Sequence, residues 1–508
     1  MIILDEEDQQ RSKELNDPFN AGPTLRFPEK AALRSESPLP DYETSEARQK
    51  LIARARSSRK VVDPRLWRAI LIAFGIYVLL SIVIGVPIIL VKRQQQEDTA
   101  INFGPPSWAN DPDTGTAISI SGANVWALED TAKCEWDYIG SYGPSSFSAN
   151  IQHTLNFSGS FYIRSNVSTI TANSSYSNGH LIVDINPDKS ATKIVFKVDA
   201  YASTEELLRQ TSACFVDSGN NRGLSVFVSR PLRNSDFVRF NIEILLPSNK
   251  KRTNILENFV TYLPWFSHSF GDLENHLLFK NLIIEGAGLP VNAKSLKGSK
   301  LSVKNAYADI IGSYHATTSL SLDGIKGDID ANVTLEHLST AISPTTLSLD
   351  TGDGGIDARI TLVAPSTRPP PHNSPYIFVA DIRTFNGPLN IRATNEKTTP
   401  PTPLQFTLQN PDGDTNLILD QNYEGTYNVQ SKLGKVSVRK PYFPPSMDPL
   451  GQRRSRAYQT EQQGSNQVYG WVGWGRRPMY GDGVIQGQVK VTTSLSPILL
   501  QLGSASDS

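Results

Sequence analysis

Four aspartates recur at fixed positions in two neighbouring copies of one sequence pattern. The stretch "SLSLDGIKGDIDANVTL" (319–335) returns 27 residues later as "TLSLDTGDGGIDARITL" (346–362), and the alignment pairs Asp323 with Asp350 and Asp330 with Asp357. If the copies stack as neighbouring strands, each pair of carboxylates lies about 5 Å apart. Retaining glycosidases use a similar separation, and paired carboxylates also suit a calcium ion. These residue types therefore raise the possibilities of glycoside hydrolysis and of calcium binding.

The residues around these aspartates favour a structural role instead. In a strand of period two, Ile329 and Val333 face one side, whereas Asp330 and Asn332 face the other and point to solvent. Asp323 lies beside turn glycines, where aspartate is favoured for local hydrogen bonds. The sequence also contains no nucleophile elbow and no phosphate loop, and its two cysteines are too few for a cysteine-based zinc site. We therefore expect no catalytic, metal-binding or cofactor-binding residues and no enzyme. The alternative is a membrane-tethered β-helical carbohydrate-active enzyme.

The elements that carry these residues are β-strands separated by glycine-rich turns. Apolar runs of period two fill residues 116–252, predicted to be an N-terminal β-rich lobe, and 253–503, predicted to be a lobe of glycine-spaced rungs. A shift of 19 relates 300–314 to the first copy, and a shift of 33 relates the second copy to 380–394. Repeats this short must stack to bury a face. The predicted fold is mostly β, with a β-solenoid-like outer domain as the first choice and a β-sandwich as the second.

Local patterns refine this prediction. The polar stretch 441–467 is expected to be an exposed loop, and the chain after it is expected to form terminal strands that cover the stack. Ser203 and Glu206 form a capping box that predicts one short helix. Residues 253–280 carry mixed spacing and stay unassigned. Trp471 and Trp474 are expected to pack in the core rather than form a platform for sugars.

One segment predicts a membrane anchor. Residues 69–91 contain no charged side chain, and 23 helical residues extend about 34 Å, enough for a hydrocarbon core of about 30 Å. Eight basic residues lie in 47–68, whereas only Lys92 and Arg93 closely follow the segment, so the N-terminus is expected in the cytoplasm. The sequence thus predicts a disordered cytoplasmic tail (1–68), one transmembrane helix (69–91) and a stalk (92–115). The predicted location is the plasma membrane or the late secretory pathway, with the lipid bilayer as a partner.

Features that suit an oxidising, glycosylating compartment lie only after this segment. The sequence has four Asn-x-Ser/Thr acceptors, and all of them follow the predicted span: Asn156, Asn166, Asn173 and Asn332. Both cysteines, Cys134 and Cys214, also follow it, so we expect one disulfide bond between them. The alternative for the cysteines is two buried thiols.

The tail contains one short recognition pattern. Leu39-Pro40-Asp41-Tyr42 resembles the motif bound by WW domains of membrane-associated ubiquitin ligases. Pro40 favours a polyproline II conformation, and the ring of Tyr42 can enter an aromatic groove. A WW-domain ubiquitin ligase is therefore an expected cytoplasmic partner. The alternative is an ordinary stretch of disordered tail.

The outer part of the chain resembles known proteins in its pattern of strands. "FVRFNIEILLPSN" (237–249), the glycine-spaced rungs and "VKVTTSLSPILLQL" (489–502) resemble a fungal group of single-pass membrane proteins with an outer domain of unknown function. The rungs are also similar to bacterial "putative adhesin" domains built as β-solenoids. The resemblance implies a scaffold for adhesion or for binding an outer protein or polysaccharide. With 49 basic and 50 acidic residues, the charge gives no reason to expect nucleic-acid binding.

Overall fold

A computed structural model of the chain describes residues 134–142, 146–165, 179–218, 221–228, 236–248, 254–365, 375–479 and 486–503. All of them belong to one unit that extends from Asn102 to Ser508. The predicted tail, transmembrane helix and stalk lie outside the described residues, as do Asn166 and Asn173. Among the residues that are described, none of the helices has the length and apolarity needed to cross a membrane.

The described residues form 26 strands and one short α-helix. The first ten strands are β1 (Tyr138–Ser141), β2 (Phe147–Asn156), β3 (Ser160–Ser165), β4 (Gly179–Ile185), β5 (Lys193–Ala202), β6 (Thr211–Ser218), β7 (Asn221–Val228), β8 (Val238–Leu246), β9 (Asn254–Tyr262) and β10 (Phe266–Asp272). The next ten are β11 (Leu277–Gly286), β12 (Val291–Asn305), β13 (Ile310–Gly324), β14 (Ile329–Glu336), β15 (Thr345–Asp350), β16 (Ile356–Val363), β17 (Phe378–Arg383), β18 (Leu389–Asn395), β19 (Leu404–Asn410) and β20 (Thr415–Leu419). The last six are β21 (Gly425–Ser431), β22 (Val436–Arg439), β23 (Arg456–Gln463), β24 (Gln467–Trp474), β25 (Gly487–Thr493) and β26 (Ile498–Leu502).

Twelve of the described strands form the central part of two parallel ladders. Ladder A contains β9, β11, the second halves of β12 and β13, β15, β17 and β19. Ladder B contains β10, the first halves of β12 and β13, β14, β16, β18 and β20. One rung consists of a strand in ladder A, a tight turn and a strand in ladder B. This parallel stacking gives a solenoid-like domain, the first of the two predicted architectures, and not a sandwich.

The predicted repeat shifts are the registers of the ladders. The shift of 27 places Leu320 opposite Leu347 and Asp330 opposite Asp357, and the shift of 19 places Leu301 opposite Leu320. The shift of 33 places Ile356 opposite Leu389. Each inward-facing apolar residue therefore stacks on its counterpart in the next rung, and burial of each such side chain contributes about 1.5–3 kcal/mol.

The tight turns stack as closely as the strands. A Cβ atom on Gly354 would lie 2.0 Å from the carbonyl oxygen of Gly327, and one on Gly387 would lie 2.1 Å from that of Gly354. Thr351 Oγ1 donates a hydrogen bond of 3.0 Å to the Gly327 oxygen, and Thr384 Oγ1 donates one of 2.6 Å to the Gly354 oxygen. Only glycine leaves room for this approach of one backbone to the next.

Both ends of the stack contain a rung that the chain inserts out of order. The rung β3–β4 pairs in parallel with β7–β8 on one side and with β9–β10 on the other. The rung β25–β26 lies in the same way between β19–β20 and β21–β22. The stack consequently continues across the predicted lobe boundary at 252/253.

Antiparallel strands cover each end of the stack. At the N-terminal end β1, β2, β5 and β8 pair in that order, and β6 pairs with β7. At the C-terminal end β24 pairs with β21 and β23. The terminal strands β25 and β26 form as predicted, although they lie inside the stack rather than on its end. Residues 253–280, which the sequence left unassigned, form β9, β10 and the start of β11.

Two local predictions need correction. The stretch 441–467, predicted to be a loop, contains a 3-10 helix (Pro445–Met447) and the edge strand β23. Half of the side chains of β23 are exposed and the rest are half-buried, so its polar composition reflects exposure at an edge and not irregular structure. The helix α1 (Glu205–Arg209) is capped by Thr204, whose Oγ1 accepts a hydrogen bond of 3.1 Å from the Leu207 amide. Ser203 instead accepts one from the Phe237 amide, which lies just before β8.

The predicted disulfide bond is present. Cys134 and Cys214 are joined across a sequence separation of 80 residues, and Cys214 in β6 is completely buried. The bond fastens the first described residues to the N-terminal end of the stack. Closing a loop of this length constrains the unfolded chain by about 4 kcal/mol.

Candidate functional site

Charged side chains form a continuous row on ladder A, next to the tight turns. In register from rung to rung, the row contains Glu285, Lys304, Asp323, Asp350 and Arg383. Neighbouring members are one strand spacing apart, about 4.8 Å. The predicted pair Asp323–Asp350 is thus real and lies in the middle of this row, between the two cations.

Glu285 and Asp350 in this row are half-buried, whereas Asp323 is exposed and lies next to Asp350. Partial desolvation and the charge of Asp323 raise the pKa of Asp350 to about 6, while Arg383 opposes the shift. Desolvation also raises the pKa of Asp323, and Lys304 opposes that shift. The pKa of Glu285 is raised by desolvation as well. Ionisation of these groups therefore works against folding.

Replacement of Asp350 by asparagine should raise the melting temperature of the protein at pH 7.5. The pKa of Asp350 rises from 3.8 to about 6 on folding, so the folded state binds more protons in that interval and stability falls as the pH rises through it. The gain in the variant should shrink as the pH is lowered from 6 to 4. Thermal denaturation at several pH values measures this, with the exposed Asp412→Asn as the matched control. Equal melting temperatures for wild type and D350N at pH 7.5 would contradict the expectation.

A groove opens where this row meets the first turns of the stack. It has a volume of about 430 Å³, and its lining includes Trp265, Ala287, Ala306, Ile325 and the charged row from Glu285 to Asp323. Ala287 and Ala306 line the groove on the two turns between those of Trp265 and Ile325, whereas the exposed Tyr307 next to Ala306 is outside the lining. The groove is therefore a notch in the stack produced by residue size.

Backbone hydrogen bonds fix the floor of the groove. The Ala287 amide donates to the Pro264 oxygen over 2.9 Å, and the Tyr307 amide donates to the Ala287 oxygen over 2.7 Å. The Ile325 amide donates to the Ala306 oxygen over 3.2 Å. The notch is thus part of the hydrogen-bonded frame of the stack rather than a gap between loose loops.

The second predicted aspartate pair lies elsewhere. Asp330 and Asp357 are register neighbours on ladder B, and both are exposed, as the alternation of the strands predicted. Within the described ranges, no group of three or more His, Cys, Asp or Glu residues could hold a metal ion.

The remaining predicted residues divide into those that the structure describes and those that it does not. Asn332 is exposed on the outer face of β14, and Asn156 is exposed at the end of β2. Trp471 and Trp474 are almost fully buried, as expected for core residues. Asn166, Asn173, Leu39, Pro40 and Tyr42 lie outside the described residues.

Sequence reasoning missed the groove because its walls come from different rungs. Trp265, Ala287, Ala306 and Ile325 do not form a sequence motif. Only the alignment of successive turns reveals that two small residues separate two large ones. The repeat of "SLSLD" with 300–314 located the later part of that alignment, whereas residues around Trp265 carried no assigned element.

Comparison with known proteins agrees with this architecture. The family model "Toastrack DUF4097" matches residues 216–469, which is half of the 508-residue chain. No curated protein matches the chain significantly.

Three solved structures are similar to the chain at low identity. They are a "putative cell adhesion protein" from Clostridium sporogenes (9% identity, covering 70% of this chain and 99% of that one, TM-score 0.14), a "putative adhesin" from Parabacteroides merdae (10%, 55% and 91%, TM-score 0.24) and a "putative lipid binding protein" from Parabacteroides distasonis (12%, 53% and 90%, TM-score 0.23). On the extent of the family match, the chain belongs to the Toastrack DUF4097 family.

Proposed function

We propose that the protein is a non-enzymatic, membrane-anchored glycoprotein whose solenoid-like outer domain binds a protein or polysaccharide during adhesion. The anchor is the apolar segment 69–91, with the N-terminus in the cytoplasm. The outer domain serves as a rigid support, and the surface that it presents consists of the stacked tight turns.

One observation carries this proposal: the turns display large apolar side chains to solvent. We call the turn residues 263–265, 287–290, 306–309, 325–328, 351–355, 384–388, 411–414, 494–497 and 432–435 the turn edge. Five large apolar side chains on this edge are more than half exposed: Tyr307, Ile325, Phe385, Leu495 and Leu433. Tyr307 and Ile325 lie on adjacent turns, as do Leu495 and Leu433, and exposed apolar side chains grouped along one edge are typical of interaction sites.

The turn edge is rigid, which suits a binding surface. The Phe385 amide donates to the Gly352 oxygen over 2.9 Å, and the Leu433 amide donates to the Ser494 oxygen over 2.9 Å. Because each turn is bonded to its neighbour, little conformational entropy is lost when a partner binds.

Cell adhesion tests this role. Cells displaying the full-length protein should adhere to a wall or matrix preparation more strongly than cells displaying a triple variant, I325S/F385S/L433S. A variant with serine at three exposed apolar positions away from the turn edge, I255S/I342S/Y442S, provides the control. Equal adhesion of the wild type and the turn-edge variant would count against the proposal.

Glycosylation at Asn332 should report the orientation of the chain. If residues after 91 face the secretory lumen, Asn332→Gln should remove one glycan and lower the apparent mass by about one N-glycan, with little change in stability because the side chain is exposed. Gel mobility before and after enzymatic deglycosylation measures this, and Asn390→Gln, an exposed asparagine on β18 outside any acceptor motif, is the control. An outer domain without any glycan on all four acceptors would contradict the orientation.

A second role is compatible with the first and concerns the tail. Leu39-Pro40-Asp41-Tyr42 is a candidate ligand for a WW domain of a ubiquitin ligase. A pull-down with isolated WW domains should retain the full-length protein and lose it on Tyr42→Ala. Retention of the Tyr42→Ala variant would remove this role without affecting the adhesion proposal.

A further inference from the structure

We infer that the groove between Trp265 and Ile325 is a binding site for a neutral saccharide. This inference rests on the proposed interaction role and supplies the ligand class and the site for it. The argument comes from the shape of the groove, from the order of charges along its wall and from the position of the indole ring.

The shape of the groove suits a short, ring-shaped ligand. Trp265, Ala287, Ala306 and Ile325 occupy four successive turns. Three strand spacings separate the two large residues, which gives a length of about 14 Å. The volume of about 430 Å³ falls within the range of small-ligand pockets, roughly 300–1,000 Å³. A chain of two or three sugar rings fits these dimensions.

The wall of the groove alternates in charge. Glu285, Lys304 and Asp323 follow one another in register, so an acceptor, a donor and an acceptor are presented at intervals of about 4.8 Å. Sugar hydroxyl groups both donate and accept hydrogen bonds, so they can satisfy all three groups in turn.

The same wall disfavours the other ligand classes. A cationic ligand would meet Lys304 between the two carboxylates, and an anionic one would meet the carboxylates on both sides of Lys304. A purely apolar ligand would cover three charged groups without giving them partners, which is costly. Only a neutral ligand with many hydroxyl groups avoids each of these penalties.

Trp265 supplies apolar ring atoms to the lining at one end of the groove. A Cβ atom on Gly288 would lie only 2.4 Å from a ring carbon of Trp265, so the indole rests directly against the backbone of the next turn. Support on that side fixes the orientation of the ring. Aromatic rings pack against the apolar faces of other rings, and the C–H face of a sugar is such a surface.

Isothermal titration of the full-length protein in lipid nanodiscs tests the inference. The neutral probes are cellotriose, laminaritriose, maltotriose and mannotriose, and the charged probes are trigalacturonate and chitosan trimer. We expect saturable binding of at least one neutral trisaccharide in the millimolar range or tighter, and about tenfold weaker binding, or none, for both charged probes.

Two variants locate the binding in the groove. Trp265→Ala should weaken the bound trisaccharide about tenfold, a change equivalent to about 1.4 kcal/mol. Ala306→Trp should abolish binding by filling the notch, while leaving Glu285, Lys304 and Asp323 in place, so it remains informative if Trp265→Ala lowers stability. Phe385→Ala, which removes an exposed aromatic ring two rungs beyond the groove, is the matched control and should bind like wild type.

The outcomes separate this inference from the adhesion role. No saturable binding of any neutral probe, or binding that survives Ala306→Trp, would overturn the groove as a saccharide site. Adhesion that depends on the turn edge would then still support the scaffold. Conversely, release of new reducing ends from a bound probe would support the groove but overturn the proposed non-enzymatic function.

Discussion

Replacing Gly354 by alanine should lower the free energy of unfolding by about 3 kcal/mol, the upper part of the range for overpacking a well-packed interior. The new Cβ atom would lie 2.0 Å from the carbonyl oxygen of Gly327, so two turns would have to separate. The hydrogen bond from Thr384 to the Gly354 oxygen would be disturbed at the same time. Equilibrium urea denaturation of the full-length chain measures the change.

Gly464→Ala is the matched control for this experiment. Gly464 lies between β23 and β24, and its nearest neighbour for a new Cβ atom, the Gln467 oxygen, is 3.6 Å away. The control should change stability by less than about 0.5 kcal/mol, as surface substitutions usually do. If the two variants unfolded at the same urea concentration, the close stacking of the turns could not be what requires glycine at 354.

Ending the chain after Gln486 should disrupt the whole C-terminal end of the stack. The deletion removes β25–β26, the rung that, among the described strands, connects β19–β20 to β21–β22 through parallel pairing. We expect β21–β24 to open, so that limited proteolysis cuts between residues 420 and 479 at least about tenfold faster than in the wild type. The uncovered edges of β19 and β20 should also promote self-association, which light scattering detects.

A chain that ends at Gly503 controls for the loss of the C-terminus itself. It keeps every described strand, including β26, and should resist proteolysis like the full-length protein. Protection of 420–479 in the chain ending at Gln486 would show that β21–β24 are held by other contacts, and the role assigned to the inserted rung would be wrong.

The central rungs could be predicted from sequence because their repeats are local. Leu320, Leu347 and the glycines at 354 and 387 align at shifts that equal the strand registers, so the pairing of Asp323 with Asp350 and of Asp330 with Asp357 followed directly. Alternation then placed Asp330 and Asn332 on the outer face. The buried apolar face of the rungs and the exposed acceptor Asn332 could therefore both be predicted from the sequence.

The ends of the stack and the groove could not be predicted from local repeats. The pairing of β25 with β19 and β21 depends on contacts between segments far apart in the chain, and no repeat signals it. The strand β23 is polar because it lies at an edge, so its composition resembles that of a loop. The groove required the register of turns around Trp265, where mixed apolar spacing left the strands unassigned.

The inserted rungs make the order of synthesis differ from the order of assembly. β3–β4 leave the ribosome before β7 to β10 but reach their place only when those strands have been made, and β25–β26 emerge after all the other described strands. At about 5–20 residues per second, the segment from β3 to β10 takes several seconds to synthesise, during which β3 and β4 lack their partners. The middle of the stack can grow rung by rung as the chain appears, whereas both ends close late. A nascent chain of this protein therefore carries open strand edges until β26 has emerged, and we expect it to depend on chaperones for the whole of that interval.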